Sequence, residues 1–134
     1  IQSALGVSQM KIVETLLKRR IELAGRYSEL LRDIPKLRIP SIVTGGQHSF
    51  QTYCVLVDDR NHIMREMRRQ GIEVQIGTYS LHLHPAFQDK SKCRVQGSMR
   101  NSLSSFDHAL ALPLFHEMLD QQQLRVVESL KAIL

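Results

Sequence analysis

The sequence predicts an α+β domain: a long N-terminal helix followed by a small, mainly antiparallel sheet packed against further helices. Two observations carry this. The first thirty-odd residues repeat apolar side chains at three-, four- and seven-residue steps, the period of one helix face. After them come short runs of β-branched, aromatic or alternating residues between turn signals, the composition of strands. A chain of 134 residues is long enough for one domain with its own core.

The first element is a helix predicted over residues 1–34, with Leu5, Ile12, Leu16, Leu23, Tyr27, Leu30 and Ile34 on one face. Lys11, Glu14, Lys18, Arg19, Glu22, Arg26 and Glu29 supply the solvent side. Glu14 to Lys18 and Glu22 to Arg26 are acid-then-base pairs four residues apart, which support a helix locally. Pro35 ends it. A helix that starts at residue 1 without a capping signal is expected to be cut from something larger.

Pro40, Gly45 and Gly46 mark a connection over residues 36–50. "FQTYCVLVD" (residues 50–58) then reads as a strand, and Asp58-Asp59 as the N-cap of a helix that ends at Gly71 in the left-handed C-cap position. "IEVQI" (residues 72–76) alternates apolar with polar and reads as a second strand. Residues 77–99 show no sustained period. Asn101 is placed to cap a short helix from 102 to about 111, stopped by Pro113. The last segment sets Leu124, Val127, Leu130 and Leu134 on one helical face.

Composition narrows the function classes. The formal charge is +5, yet the basic groups (Lys18-Arg19-Arg20, Arg65-Arg68-Arg69 and a looser set from Lys90 to Arg94) are not interleaved with the aromatics that base-stacking surfaces use. They read as solvated helix faces, so no nucleic-acid partner is expected. No apolar run approaches the roughly 20 residues needed to cross a bilayer, and the N-terminus lacks the pattern of a signal peptide. Cys54 and Cys93 sit in unlike contexts, one in a strand and one in a polar loop. That pairing does not indicate a disulfide, and a cytoplasmic setting is expected.

One stretch draws attention, "GTYSLHLHPAF" at residues 77–87. On a strand, His82 and His84 would share a face; in a loop their spacing fixes little. A metal would need further ligands with outer support, and His48, Asp89 and Cys93 stand at no ligand spacing, so no metal site is expected. There is no Gly-x-Ser-x-Gly elbow, no Cys-x-x-Cys and no phosphate-cradling lysine loop. His62, His108 and His116 fall on helix faces or a turn. Cys54 reads as core filler, and Met64 and Met67 as core residues of the short helix. No catalytic set emerges from these residues.

Taken together and in order, "IQSALG", "KRR…RY", "HSFQTY", "LHLHPAF" and "LALPLF" resemble the C-terminal part of the DegT/StrS-type sugar-nucleotide aminotransferases, over nearly all of residues 1–134. The resemblance implies the C-terminal small domain of a fold-type I pyridoxal-phosphate (PLP) transferase, with residues 1–34 linking to an upstream cofactor domain. It implies an enzyme that aminates nucleotide-linked keto-sugars with an amino-acid donor, as a homodimer whose partner subunit completes the site. Such chemistry needs a Schiff-base lysine and a carboxylate on the pyridine nitrogen. Lys11, Lys18, Lys36, Lys90, Lys92 and Lys131 all stand in the wrong context, so no catalytic or cofactor-binding residue is assigned and the chain alone is expected to be inactive.

The resemblance also places Tyr79, His82 and His84 in a loop near the active-site mouth, as substrate-lining residues. His48, in "QHSFQTY", is expected to position rather than to transfer protons. A histidine frequent in relatives is replaced here at Gly77 or Thr78. Two alternatives stay open, since a fold does not secure a function: a non-catalytic regulatory protein that keeps the fold, and a PLP-dependent sugar dehydratase with histidine in place of the lysine.

Overall fold

The computed structural model describes residues 1–89 and 92–134; Lys90, at the head of the looser basic group, lies outside them. The elements run α1 (Gln2–Met10), α2 (Val13–Leu31), β1 (Leu37–Arg38), β2 (Tyr53–Val57), α3 (Arg60–Arg69) and β3 (Gln75–Ile76). Two short 3₁₀ turns follow, then α4 (Arg100–His108), β4 (Ala109–Leu112) and α5 (Asp120–Ile133). The sheet has the order β1-β2-β4-β3, and every neighbouring pair is antiparallel. The expected α+β class is what the chain adopts.

Strand β2 alternates as a half-buried strand should, with Tyr53, Val55 and Val57 inside. Leu23, Ala24, Tyr27 and Leu31 of α2, Ile63 and Met67 of α3, and Val126, Val127 and Leu130 of α5 complete one core cluster. Arginines tie these pieces together. Arg19 Nη2 donates to the Met118 carbonyl at 3.0 Å, Arg20 Nε to the Phe50 carbonyl at 2.9 Å and Arg68 Nη2 to the Val74 carbonyl at 2.7 Å. Three of the basic helix residues are thus committed to backbone within the domain.

Several details differ from the sequence reading. The strand read over 72–76 forms only at Gln75–Ile76, Asp59 stands at the N-cap of α3 without a side-chain cap bond, and three further differences change an element or its buried face. The N-terminal helix comes in two pieces. At the junction Lys11 and Ile12 donate to carbonyls only three residues back, and the four-residue ladder resumes with Leu16 N–H to the Ile12 carbonyl at 3.1 Å. Nothing in α1 is buried, so it stands on local propensity alone, and the β-branched pair Ile12-Val13 is weak there. The apolar face therefore begins at Leu23, while Leu5 and Ile12 are exposed.

The second difference is β4. The helix expected to reach residue 111 starts two residues early, at Arg100, and stops at His108. "ALAL" is an inner strand, with Val55 opposite Leu110 on one side and Ile76 opposite Leu110 on the other. Alanine and leucine favour helix, but pairing on both edges outweighs that preference. The third difference lies in α5, where Leu124 is exposed and Gln123 is fully buried. Gln123 Nε2 donates to the Leu23 carbonyl at 2.9 Å, a bond that joins α5 to α2.

Tyr27 and Tyr53 pack with ring centroids 5.1 Å apart. Burial raises both phenol pKa values; Tyr53 adds to the effect on Tyr27, and the Ser28 hydroxyl partly offsets it at Tyr53. The unfolded chain releases these protons near pH 10 while the folded one retains them. Above that pH the unfolded state binds fewer protons, so stability falls as pH rises. The urea midpoint is expected to decline above about pH 10, less steeply in Tyr27→Phe. A midpoint that rises over that range contradicts the burial.

Candidate functional site

The site begins where the chain leaves the sheet. Gly77 N–H donates to the Ala109 carbonyl at 2.9 Å, extending the β3–β4 pairing by one residue. A Cβ at Gly77 would lie 2.8 Å from Ala109 Cβ and 3.0 Å from Cys54 Sγ. No side chain fits there without displacement, which accounts for the glycine at this position.

Beyond Gly77 the loop winds into 3₁₀ turns at Leu81–Leu83 and Pro85–Phe87. Leu83 N–H donates to the Ser80 carbonyl at 3.0 Å, and Phe87 N–H to the His84 carbonyl at 2.9 Å. Pro85 opens the second turn, where its fixed φ and missing N–H do no harm. At three residues per turn, a two-residue step rotates the side chain by about 240°. His82 and His84 therefore diverge, rather than sharing a face as they would on a strand.

His82 lines an open cleft of about 850 Å³ with Phe87, Gln88, Cys93, Arg94 and Val95. Tyr79 and His84 line a second, more apolar cleft of about 520 Å³ with Ser80, Leu81, Leu83, Pro85 and Phe106. Its wall is braced from behind. The buried Arg60 donates from Nη2 to the Phe106 carbonyl at 2.8 Å, with its guanidinium 5.6 Å from the Phe106 ring centroid, a cation–π contact. His84 also has a local duty, since its Nδ1 accepts the Ala86 N–H at 3.2 Å and caps the second turn.

His48 lines neither cleft. Its Nδ1 accepts the Phe50 N–H at 2.8 Å, and its ring packs on Phe50 at 4.3 Å. Phe50 has φ 47°, a left-handed conformation that costs a bulky residue. His48 holds that turn together with Arg20, which bonds the Phe50 and Gln51 carbonyls.

Of the four candidates from the sequence, Tyr79 and His84 come together, His82 stands on a neighbouring cleft, and His48 serves the approach to β2. Ser80 and Phe87 lay inside the stretch that drew attention but were not assigned a place in the site, Arg94 was noted only as one of several loop cations, and Phe106 carried no signal.

Among the described residues no three His, Cys, Asp or Glu side chains gather where they could hold a metal. The residues present do not fit PLP either. Lys36 donates to the Leu134 carbonyl at 3.0 Å and Lys92 pairs with Asp89 at 3.3 Å. Lys11, Lys18 and Lys131 are exposed. Among the described residues the buried polar side chains are Arg60, Ser80, Gln123 and Ser129, with no carboxylate for a pyridine nitrogen. No helix is long and apolar enough to cross a membrane, among the described residues.

The chain is similar to the spore coat polysaccharide biosynthesis protein SpsC of Bacillus subtilis, 28% identical over 99% of this chain and 36% of that protein. It is 27% identical to the dTDP-4-dehydro-2,3,6-trideoxy-D-glucose 4-aminotransferase of Saccharopolyspora spinosa, over 93% of this chain and 31% of that enzyme. In three dimensions it matches the aminotransferase TlmJ of Streptoalloteichus hindustanus with a TM-score of 0.83 and 25% identity, over 95% of this chain and 34% of that one. The chain thus spans about a third of the length of its relatives. The DegT/DnrJ/EryC1/StrS aminotransferase family profile matches residues 1–131, and the chain belongs to that family.

Proposed function

We propose that residues 1–134 are the C-terminal small domain of a PLP-dependent aminotransferase acting on nucleotide-linked keto-sugars, a homodimeric cytoplasmic enzyme in amino-sugar or surface-polysaccharide synthesis. The observation that carries this is a family match across almost the whole chain, by a chain about a third as long as its relatives. On this reading the cofactor chemistry belongs to a larger remainder, since no described lysine or buried carboxylate suits it. Met10, Val13, Leu17 and Ile21 leave apolar surface exposed from the end of α1 into α2, where such a remainder would pack. Within the enzyme, the His82 cleft and the Tyr79–His84 cleft form part of the sugar-nucleotide wall, and no proton-transfer step is assigned to either.

The test uses the whole protein. Loaded with PLP it is expected to absorb in the visible, to lose that absorbance on borohydride treatment, and to aminate a nucleotide-linked keto-sugar. The 134-residue chain alone should do none of this. A whole protein with no borohydride-trapped lysine sinks the aminotransferase reading; a histidine at that position points to the dehydratase, and no cofactor at all to the regulatory protein. His82→Ala in the active enzyme removes one polar contact to substrate, worth about 1.4 kcal/mol or roughly tenfold in kcat/KM. The loss should appear for the nucleotide-sugar half-reaction and not for the amino-acid half-reaction.

A further inference from the structure

Ser80 lies at the head of the first 3₁₀ turn, where a serine hydroxyl ordinarily caps the N–H groups that follow. Here it makes no such bond. It is buried, only 4% exposed, and its Oγ lies 3.1 Å from His82 Nδ1 and 2.8 Å from Ser102 Oγ. Ser102 is the third residue of α4, and the residue at the N-cap of that helix, Met99, makes no side-chain cap. The row Ser102–Ser80–His82 thus runs from a helix N-terminus to an imidazole at the edge of a cleft.

The helix N-terminus sets the direction of the hydrogens in that row. The first turn of a helix presents free N–H groups and the positive end of its dipole. A hydroxyl there is best placed with its oxygen toward the helix and its hydrogen away from it. Ser102 then donates to Ser80, and the hydrogen of the buried Ser80 hydroxyl, which would otherwise go unpaired, is satisfied by donating to His82 Nδ1. An imidazole whose Nδ1 accepts must, when neutral, carry its proton on Nε2.

We propose that Ser80, backed by Ser102, is a positioning residue that locks His82 in the Nε2–H tautomer, so that His82 meets a ligand as a hydrogen-bond donor and not as a base. Beside Arg94 on the same cleft, a donor at Nε2 gives two groups for acceptor oxygens of the kind that phosphates and sugar hydroxyls carry. That the ligand is a nucleotide-sugar rests on the reading above; the tautomer does not.

The experiment measures the tautomer alone. In the ¹⁵N-labelled 134-residue chain, at mildly alkaline pH where imidazoles are neutral, His82 is expected to show a protonated Nε2 and an unprotonated Nδ1 as two resolved signals. Ser80→Ala should collapse them toward the averaged values of a free histidine, and Ser80→Thr, which keeps the hydroxyl, should restore them. Amide spectra of the variants report whether each is folded. A wild-type spectrum with the proton on Nδ1, or one already averaged, overturns the proposal without recourse to any variant. So does a folded Ser80→Ala chain whose His82 signals are unchanged. None of these results depends on whether the whole protein proves to be an aminotransferase.

Discussion

Tyr27→Ala is expected to lose about 3–5 kcal/mol of folding stability, a large part of the roughly 5–15 kcal/mol that holds a domain together. Tyr27 is wholly buried and touches three parts of the fold. Its ring packs on Tyr53 of β2, its position on α2 joins that helix to the core, and its hydroxyl donates to the Pro113 carbonyl at 2.9 Å. Pro113 follows β4, so one side chain links the long helix, one inner strand and the exit from the other. Truncation leaves a cavity and deprives the Pro113 carbonyl of its donor. Tyr53 retains its bond with the Ser28 hydroxyl at 2.9 Å but loses the ring that covers it. Tyr27→Phe separates the two effects, since it keeps the packing and removes only the hydrogen bond, at about 1 kcal/mol. Urea unfolding with an unchanged m-value measures both. If Tyr27→Ala costs less than Tyr27→Phe is expected to, α2 is not docked on the sheet as described.

The parts of the fold that were legible in the sequence are those where local pattern and tertiary contact agree. Leu23 and Tyr27 of α2, Met67 of α3 and the alternating Ile72 and Val74 follow their periods and are buried accordingly, whereas Met64, read as core beside Met67, is only half-buried. The sequence misled where a neighbour decided the outcome. "ALAL" is helix-prone in isolation and becomes a strand because β2 and β3 lie on either side of it. Leu124 was read onto the buried face of the last helix and is exposed, while its neighbour Gln123 is buried and donates to the Leu23 carbonyl. In the site, the histidines themselves were easy to find. Their divergence was not, because it depends on a 3₁₀ turn that no periodicity announces. Ser80 was invisible for a different reason: a lone serine has no pattern, and its partner Ser102 comes from a helix 22 residues further on.

Gly77 connects the sheet to that loop, and Gly77→Val is the second substitution with a large expected effect. The reason is space and not backbone freedom, since Gly77 is not among the glycines with left-handed φ, which are Gly45, Gly71 and Gly97. A new Cβ would meet Ala109 Cβ at 2.8 Å, Cys54 Sγ at 3.0 Å and the Ala109 carbonyl carbon at 3.2 Å. The cysteine side chain has some room to turn, but Ala109 belongs to β4 and is buried, so relief there means moving an inner strand. Overpacking of this kind costs about 1–3 kcal/mol, with a β-branched side chain at the upper end. The alternative is for the loop to give way instead, by breaking the Gly77 N–H bond to the Ala109 carbonyl. Stability then falls less, but Ser80 moves off Ser102 and His82 loses its hydroxyl partner. The two routes are distinguishable in one sample: a lowered urea midpoint with the His82 ring signals intact means that the sheet yielded, and a near-normal midpoint with averaged His82 signals means that the loop did. Ala109→Gly removes the nearest of the three contacts and should recover part of the loss in Gly77→Val. A Gly77→Val chain with wild-type stability and a wild-type His82 spectrum would show that the loop does not leave the sheet at this point.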